Sequence, residues 1–137
     1  MAPMTRTSFL FTAASAAGLS GSAAAQSQRV FELRTYYALP GRMPNLLARF
    51  RNHTVKLFEK HGITNIGYWV PADAPGSENT LIYLVAFPSR EAAKKSWDAF
   101  RADPDWLKAR AESEKDGKIV DRIESVYLNP ADFSALR

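Results

Sequence analysis

The eight residues Thr80–Phe87 (TLIYLVAF) are apolar or aromatic at every position after the first. The proline- and glycine-rich stretch 71–77 stands before them, and Pro88-Ser89 breaks the pattern after them. Eight residues are too few for a core helix, and a strand without polar alternation must be covered on both faces. This requirement governs what the chain can fold into. The run must be an internal strand with partners at both edges and a layer of side chains above and below it.

The partners are legible. Arg29–Tyr37 predicts a strand, with Val30, Phe31, Thr35, Tyr36 and Tyr37 supplying β-branched and aromatic residues, and Leu39-Pro40-Gly41 ends it. Ile63–Val70 predicts a second, with Ile66, Tyr68 and Val70 on one face and Asn65, Gly67 and Trp69 on the other. Ile119–Leu128 is the last strand, and Asn129-Pro130 ends it.

Helices supply one covering layer. From about Met43 to His61, Met43, Leu47, Phe50, Thr54, Leu57 and His61 form a stripe that Leu46 and Phe58 widen. Pro44 suits the first turn and Gly62 the stop. Ser89 is placed to cap a helix from Arg90 to about Arg101, with Ala93, Trp97 and Phe100 along one face. Asp103-Pro104-Asp105 opens another, running to about Lys115.

The order β-α-β-β-α-α-β describes a ferredoxin-like α+β domain with a four-stranded antiparallel sheet. The helices cover one face of that sheet. Because the strands are too apolar for the other face to meet water, a second copy of the chain is the expected cover, making a homodimer.

Residues 1–25 differ in kind. They hold one charge, Arg6, then an apolar stretch from Phe9 to Leu19, and end in Ala23-Ala24-Ala25. A basic start, a short apolar core and a small-residue exit predict a secretory signal peptide, hence a periplasmic or secreted protein. Thr5-Arg6-Thr7-Ser8-Phe9-Leu10 is similar to a twin-arginine signal with Thr7 in place of the second arginine, so the export route stays open. The expected divisions are a signal peptide at 1–25, one domain at 26–128 and a loosely packed tail at 129–137.

The 137-residue chain carries a net charge of +4, and the expected cleavage removes one cation and no acid. Basic residues such as Arg42, Arg49, Arg51, Lys56 and Lys60 are interleaved with acids along much of the chain, which predicts solvated helix faces rather than a nucleic-acid surface. No apolar run is long enough to span a membrane, so no membrane association is expected after cleavage. Cysteine is absent and histidine occurs twice. His53 and His61 are eight apart, not the i, i+4 pair of a helical zinc site, so no metal is expected.

The candidate ligand-binding residues are Arg34, Tyr36, His61 and Trp69. An arginine and a phenol on one face of a strand suit an anionic or enolic molecule; an ion pair from Arg34 to Glu32 or Glu124 is the competing reading. His61 is placed either as a base or ligand facing the sheet, or as a helix-end histidine bonded to the last carbonyls. Trp69, Trp97 and Trp106, with Tyr83 and Tyr127, are pocket lining or core. Asp103 and Asp105 are helix-start groups without assigned chemistry.

Phe31-Glu32-Leu33-Arg34-Thr35-Tyr36, Pro40-Gly41, His61-Gly62, Gly67-Tyr68-Trp69 and Asp103-Pro104-Asp105-Trp106 occur in an order that resembles the NIPSNAP family, from about Val30 to Leu128. The resemblance implies a dimeric α+β barrel, in which two ferredoxin-like sheets pack face to face. It implies no particular reaction. The better-known members are mitochondrial, and roles tied to that organelle do not carry over to an exported chain. The wider barrel superfamily includes cofactor-free oxygenases and haem-handling enzymes. The haem-degrading pattern places its histidine on the second helical segment, where Arg90–Lys115 has none, so no cofactor is expected; haem on His53 or His61 is the alternative.

Two functional readings stand: a protein or enzyme with a small-molecule pocket between sheet and helices, and a non-catalytic dimeric interaction module. A cleft of a few hundred Å³ favours the first and a filled sheet–helix interface the second.

Overall fold

Strand β3, Thr80–Phe87, is an internal strand of a four-stranded antiparallel sheet in a computed structural model that describes residues 29–137. The expected export segment, residues 1–25, lies outside the described residues. The other strands are β1 (Val30–Ala38), β2 (Thr64–Trp69) and β4 (Val120–Leu128), in the order β2-β3-β1-β4. That order is the ferredoxin-like one. It puts two internal strands, β1 and β3, side by side between two edges.

Between β1 and β2 runs helix α1, in three continuous segments: Met43–Arg49, a π-helical turn Phe50–Thr54, and Val55–Lys60. It stops at Gly62, whose φ of 75° is open to glycine at little cost. A helical turn, α2 (Gly76–Asn79), interrupts what the sequence predicts as open loop. Helices α3 (Arg90–Ala102) and α4 (Pro104–Ser113) follow β3. Both caps are as expected: Ala92 N donates to Ser89 Oγ at 3.0 Å, and Asp105 N donates to Asp103 Oδ1 at 2.8 Å.

The register divides the sheet into two unlike faces. Glu32, Arg34 and Tyr36 of β1 pair with Val85, Tyr83 and Leu81 of β3 and point towards the helices. Leu33 pairs with Leu84 and Val126 and points away. The core lies on the helix side, where Leu81, Tyr83, Val85 and Phe87 are at most 2% exposed. Aromatic rings knit it together: Phe58 lies 5.3 Å from Trp97 and 5.0 Å from Phe100, both edge-on. On the other face Ile82 and Leu84 are only half-covered, and Val126 remains 49% exposed. Within one chain, then, the outer face of β3 is buried at Ala86 but only partly covered at Ile82 and Leu84.

Two predicted facings are corrected. A bulge between Asn65 and Gly67 shifts β2 against β3, so Asn65 joins Tyr68 on the helix side, where Tyr68 donates to Asn65 Oδ1 at 2.5 Å. Regular alternation could not anticipate this. The π-turn similarly resets α1. An added residue in the turn brings Arg49 and Thr54, five apart, to the same side, and Thr54 Oγ1 donates to the Arg49 carbonyl at 3.3 Å. The buried residues of the helix are therefore Met43, Leu46, Arg49, Phe50, Thr54 and Phe58. Arg49, expected on a solvated face, is 5% exposed.

Candidate functional site

β1 places three polar side chains in an otherwise apolar layer. Glu32 is 1% exposed and fully engaged. It accepts from Arg34 Nη1 at 2.6 Å, from Trp97 Nε1 at 2.7 Å and from Ser125 Oγ at 2.6 Å. Burial alone would raise its pKa; the hydrogen bonds from Ser125, Arg34 and Trp97 outweigh that and hold it below the ordinary value. Glu32 is thus a fixed anion, and its work is to orient Arg34.

Arg34 is held from two sides. Its Nε donates to the Tyr83 hydroxyl at 2.8 Å, and Tyr83 donates onward to the Tyr36 hydroxyl at 3.2 Å. The guanidinium also sits 4.5 Å from the Trp97 ring centroid. The ion-pair reading of Arg34 is correct as to Glu32, but Glu124 turns to the other face beside Tyr37. Pairing does not exhaust the arginine. Arg34 and Tyr36 both line an open cleft of about 370 Å³.

The cleft lies between the β1–β4 half of the sheet and helices α3 and α4. Trp97, Phe100 and Trp106 form its aromatic wall, with Phe100 and Trp106 4.7 Å apart. Six cations line it, Arg34, Arg49, Arg101, Arg110, Lys118 and Arg122, against two acids, Glu114 and Asp121. Such an excess in a partly desolvated space favours anions.

Arg49 is the residue that the sequence reading missed. It enters the cleft from the residue just before the π-turn, with its guanidinium 5.2 Å from the Trp106 ring. Its Nη1 makes only long contacts, 3.4 Å to Glu114 Oε1 and 3.4 Å to Ser113 Oγ. Its Nε is buried without a partner. Burial lowers the pKa of this guanidinium, and the nearby Tyr36 and Glu114 only partly restore it. The one signal in the sequence was its position beside Phe50, but an α-helical projection turns it outward.

The other two candidates lie elsewhere. Trp69 stands on the opposite face of the sheet, paired with Ile82 and folded over Gly67, where a Cβ would meet its ring at 2.5 Å. It cannot share a cleft with Arg34. His61 ends α1 and donates from Nε2 to Asp103 Oδ2 at 2.6 Å, rather than to the last carbonyls. Lys60 donates to the same oxygen at 2.8 Å. Asp103 thus caps α4 and ties it to the end of α1. His53 lies in the groove between α1 and α4. Neither histidine lines the cleft, so an imidazole-ligated haem there does not match the residues in place.

The architecture and the cleft define a ferredoxin-like α+β domain with a cationic, aromatic-walled recess between sheet and helices. The NIPSNAP family model matches residues 31–135, and the chain belongs to that family. A NIPSNAP family protein with unknown function from Agrobacterium tumefaciens superposes with a TM-score of 0.68 at 24% identity, over 81% of this chain and 96% of that one. A second from the same organism gives a TM-score of 0.69 at 23% identity, over 80% and 99%. A putative antibiotic biosynthesis monooxygenase from Chloroflexus aurantiacus shares the fold more distantly, with a TM-score of 0.51 at 18% identity over 80% and 99%. No curated protein matches the sequence.

Proposed function

We propose that this protein is an exported, homodimeric small-molecule binding protein whose ligand is an organic anion held between sheet and helices. The observation that carries the reading is Arg49, a nearly buried guanidinium with an unpartnered Nε. Leaving such a group unpaired is costly, and a ligand carboxylate or enolate would offset the cost. Arg34, pre-oriented by Glu32 and Tyr83, supplies a second cation in the same cleft, and Tyr36 a phenol. The cleft is of a size that takes small ligands, which favours this reading over an interaction module with a filled interface. Dimerisation through the apolar outer face supports the frame around the cleft, and the pattern of residues 1–25 supports export.

The test is a thermal-shift and calorimetric screen of small organic acids against the protein lacking residues 1–25. Acids that bind wild type should lose about ten- to a hundredfold in affinity on Arg49→Gln, as expected for a lost charged hydrogen bond. Equal binding by the variant, or no binding by wild type, overturns the reading.

A further inference from the structure

Resting on the anion-binding reading above, we infer that the ligand is a planar, aromatic carboxylate, and that Glu114 is the resident carboxylate it displaces from Arg49. Glu114 follows the last turn of α4 and remains a quarter exposed. It reaches Arg49 Nη1 only at 3.4 Å and Arg110 Nε at 3.6 Å, both well beyond a tight charge-assisted bond of about 2.7–2.9 Å. This carboxylate touches the buried guanidinium from one end and leaves Nε bare. A free carboxylate entering from the cleft, not tethered to α4, can approach the amino end of the guanidinium more closely than Glu114 does where it stands.

The rest of the ligand is set by the walls. Trp106, partly exposed, lines the cleft beside the Arg49 guanidinium, so a carboxylate on Arg49 places its ring system along the Trp106 indole. A flat conjugated ring lies against such a surface better than a puckered one of equal size. Arg34 and Tyr36 line the same cleft, where a ring hydroxyl or carbonyl of the ligand would meet them.

The experiment titrates benzoate, 1-naphthoate, cyclohexanecarboxylate and inorganic phosphate into wild type and Glu114→Gln, following tryptophan fluorescence and heat. The expected result is that both arene carboxylates bind more tightly than cyclohexanecarboxylate or phosphate. Glu114→Gln should bind 1-naphthoate about two- to fivefold more tightly, the scale of losing a partly exposed ion pair. If wild type binds naphthoate and Glu114→Gln binds it equally or more weakly, the displacement inference fails while the anion-binding reading stands. Preference for phosphate or the puckered acid overturns the ligand class. If neither protein binds any of the four, both the inference and the reading beneath it fall.

Discussion

On the helix side of the sheet, β1 presents Glu32, Arg34 and Tyr36, and each is tied to a partner on another element or to its neighbour. On the far side the same strand presents Leu33 between Leu84 and Val126, and Val126 remains 49% exposed. One face is polar within and covered by helices that leave a cleft; the other is apolar around Leu33 and more exposed. The contrast separates two tasks. A buried ion pair is a poor source of net stability compared with well-packed apolar residues, so its presence inside the fold is better explained by what it positions. An apolar face left exposed is a poor surface for a lone chain, which is why a homodimer is proposed.

The inner face should be broken most severely by Glu32→Ala. That change strands Arg34 beside Trp97 and leaves Ser125 and the indole N–H without an acceptor. Chemical denaturation should show a loss of about 3–5 kcal/mol. A loss below about 1 kcal/mol would mean that Arg34 finds water or a new partner and that the inner network is not rigid.

The outer face is tested by Leu84→Asp, which sets a charge in the middle of that apolar face. The proposed homodimer should dissociate, with its dissociation constant rising at least about a hundredfold, or about 2.7 kcal/mol. The monomer should remain folded, since Leu84 faces away from the core. Light scattering and circular dichroism together decide this; an intact dimer would place the interface elsewhere.

The smallest effect concerns the seam between the helices. Hydrogen bonds from Lys60 and His61, then from the Asp105 backbone, hold the Asp103 carboxyl well below its ordinary value of 3.8. A depressed acid contributes stability that is complete above its unfolded pKa and is lost as pH falls from about 4 towards the folded value. Asp103→Asn should therefore melt lower than wild type at pH 7 and converge with it under strong acid. Parallel melting curves down to pH 2 would show that the linkage has been misassigned.

Much of the fold was legible because it follows from local rules. The apolar run at Thr80–Phe87, the glycine stop at Gly62, and the serine and aspartate caps each depend on a few neighbouring residues. Arg34 and Tyr36 were legible as a pair for the same reason, since alternation along β1 puts them on one face. What failed were the two places where the period slips. The bulge in β2 and the π-turn in α1 each insert a residue, and every facing downstream of an insertion changes.

The sequence by itself determined the order of the strands and main helices, the fold class and the family, because hydrophobic periodicity and capping are written in adjacent residues. Only the tertiary structure decided that Arg49 turns into the cleft, that Trp69 faces the other way, and that Glu32 is spent on orienting Arg34. Those outcomes depend on register between segments far apart in the chain. An arginine is a solvated helix residue or a buried cleft residue according to where one extra residue falls in a turn, and composition carries no record of that.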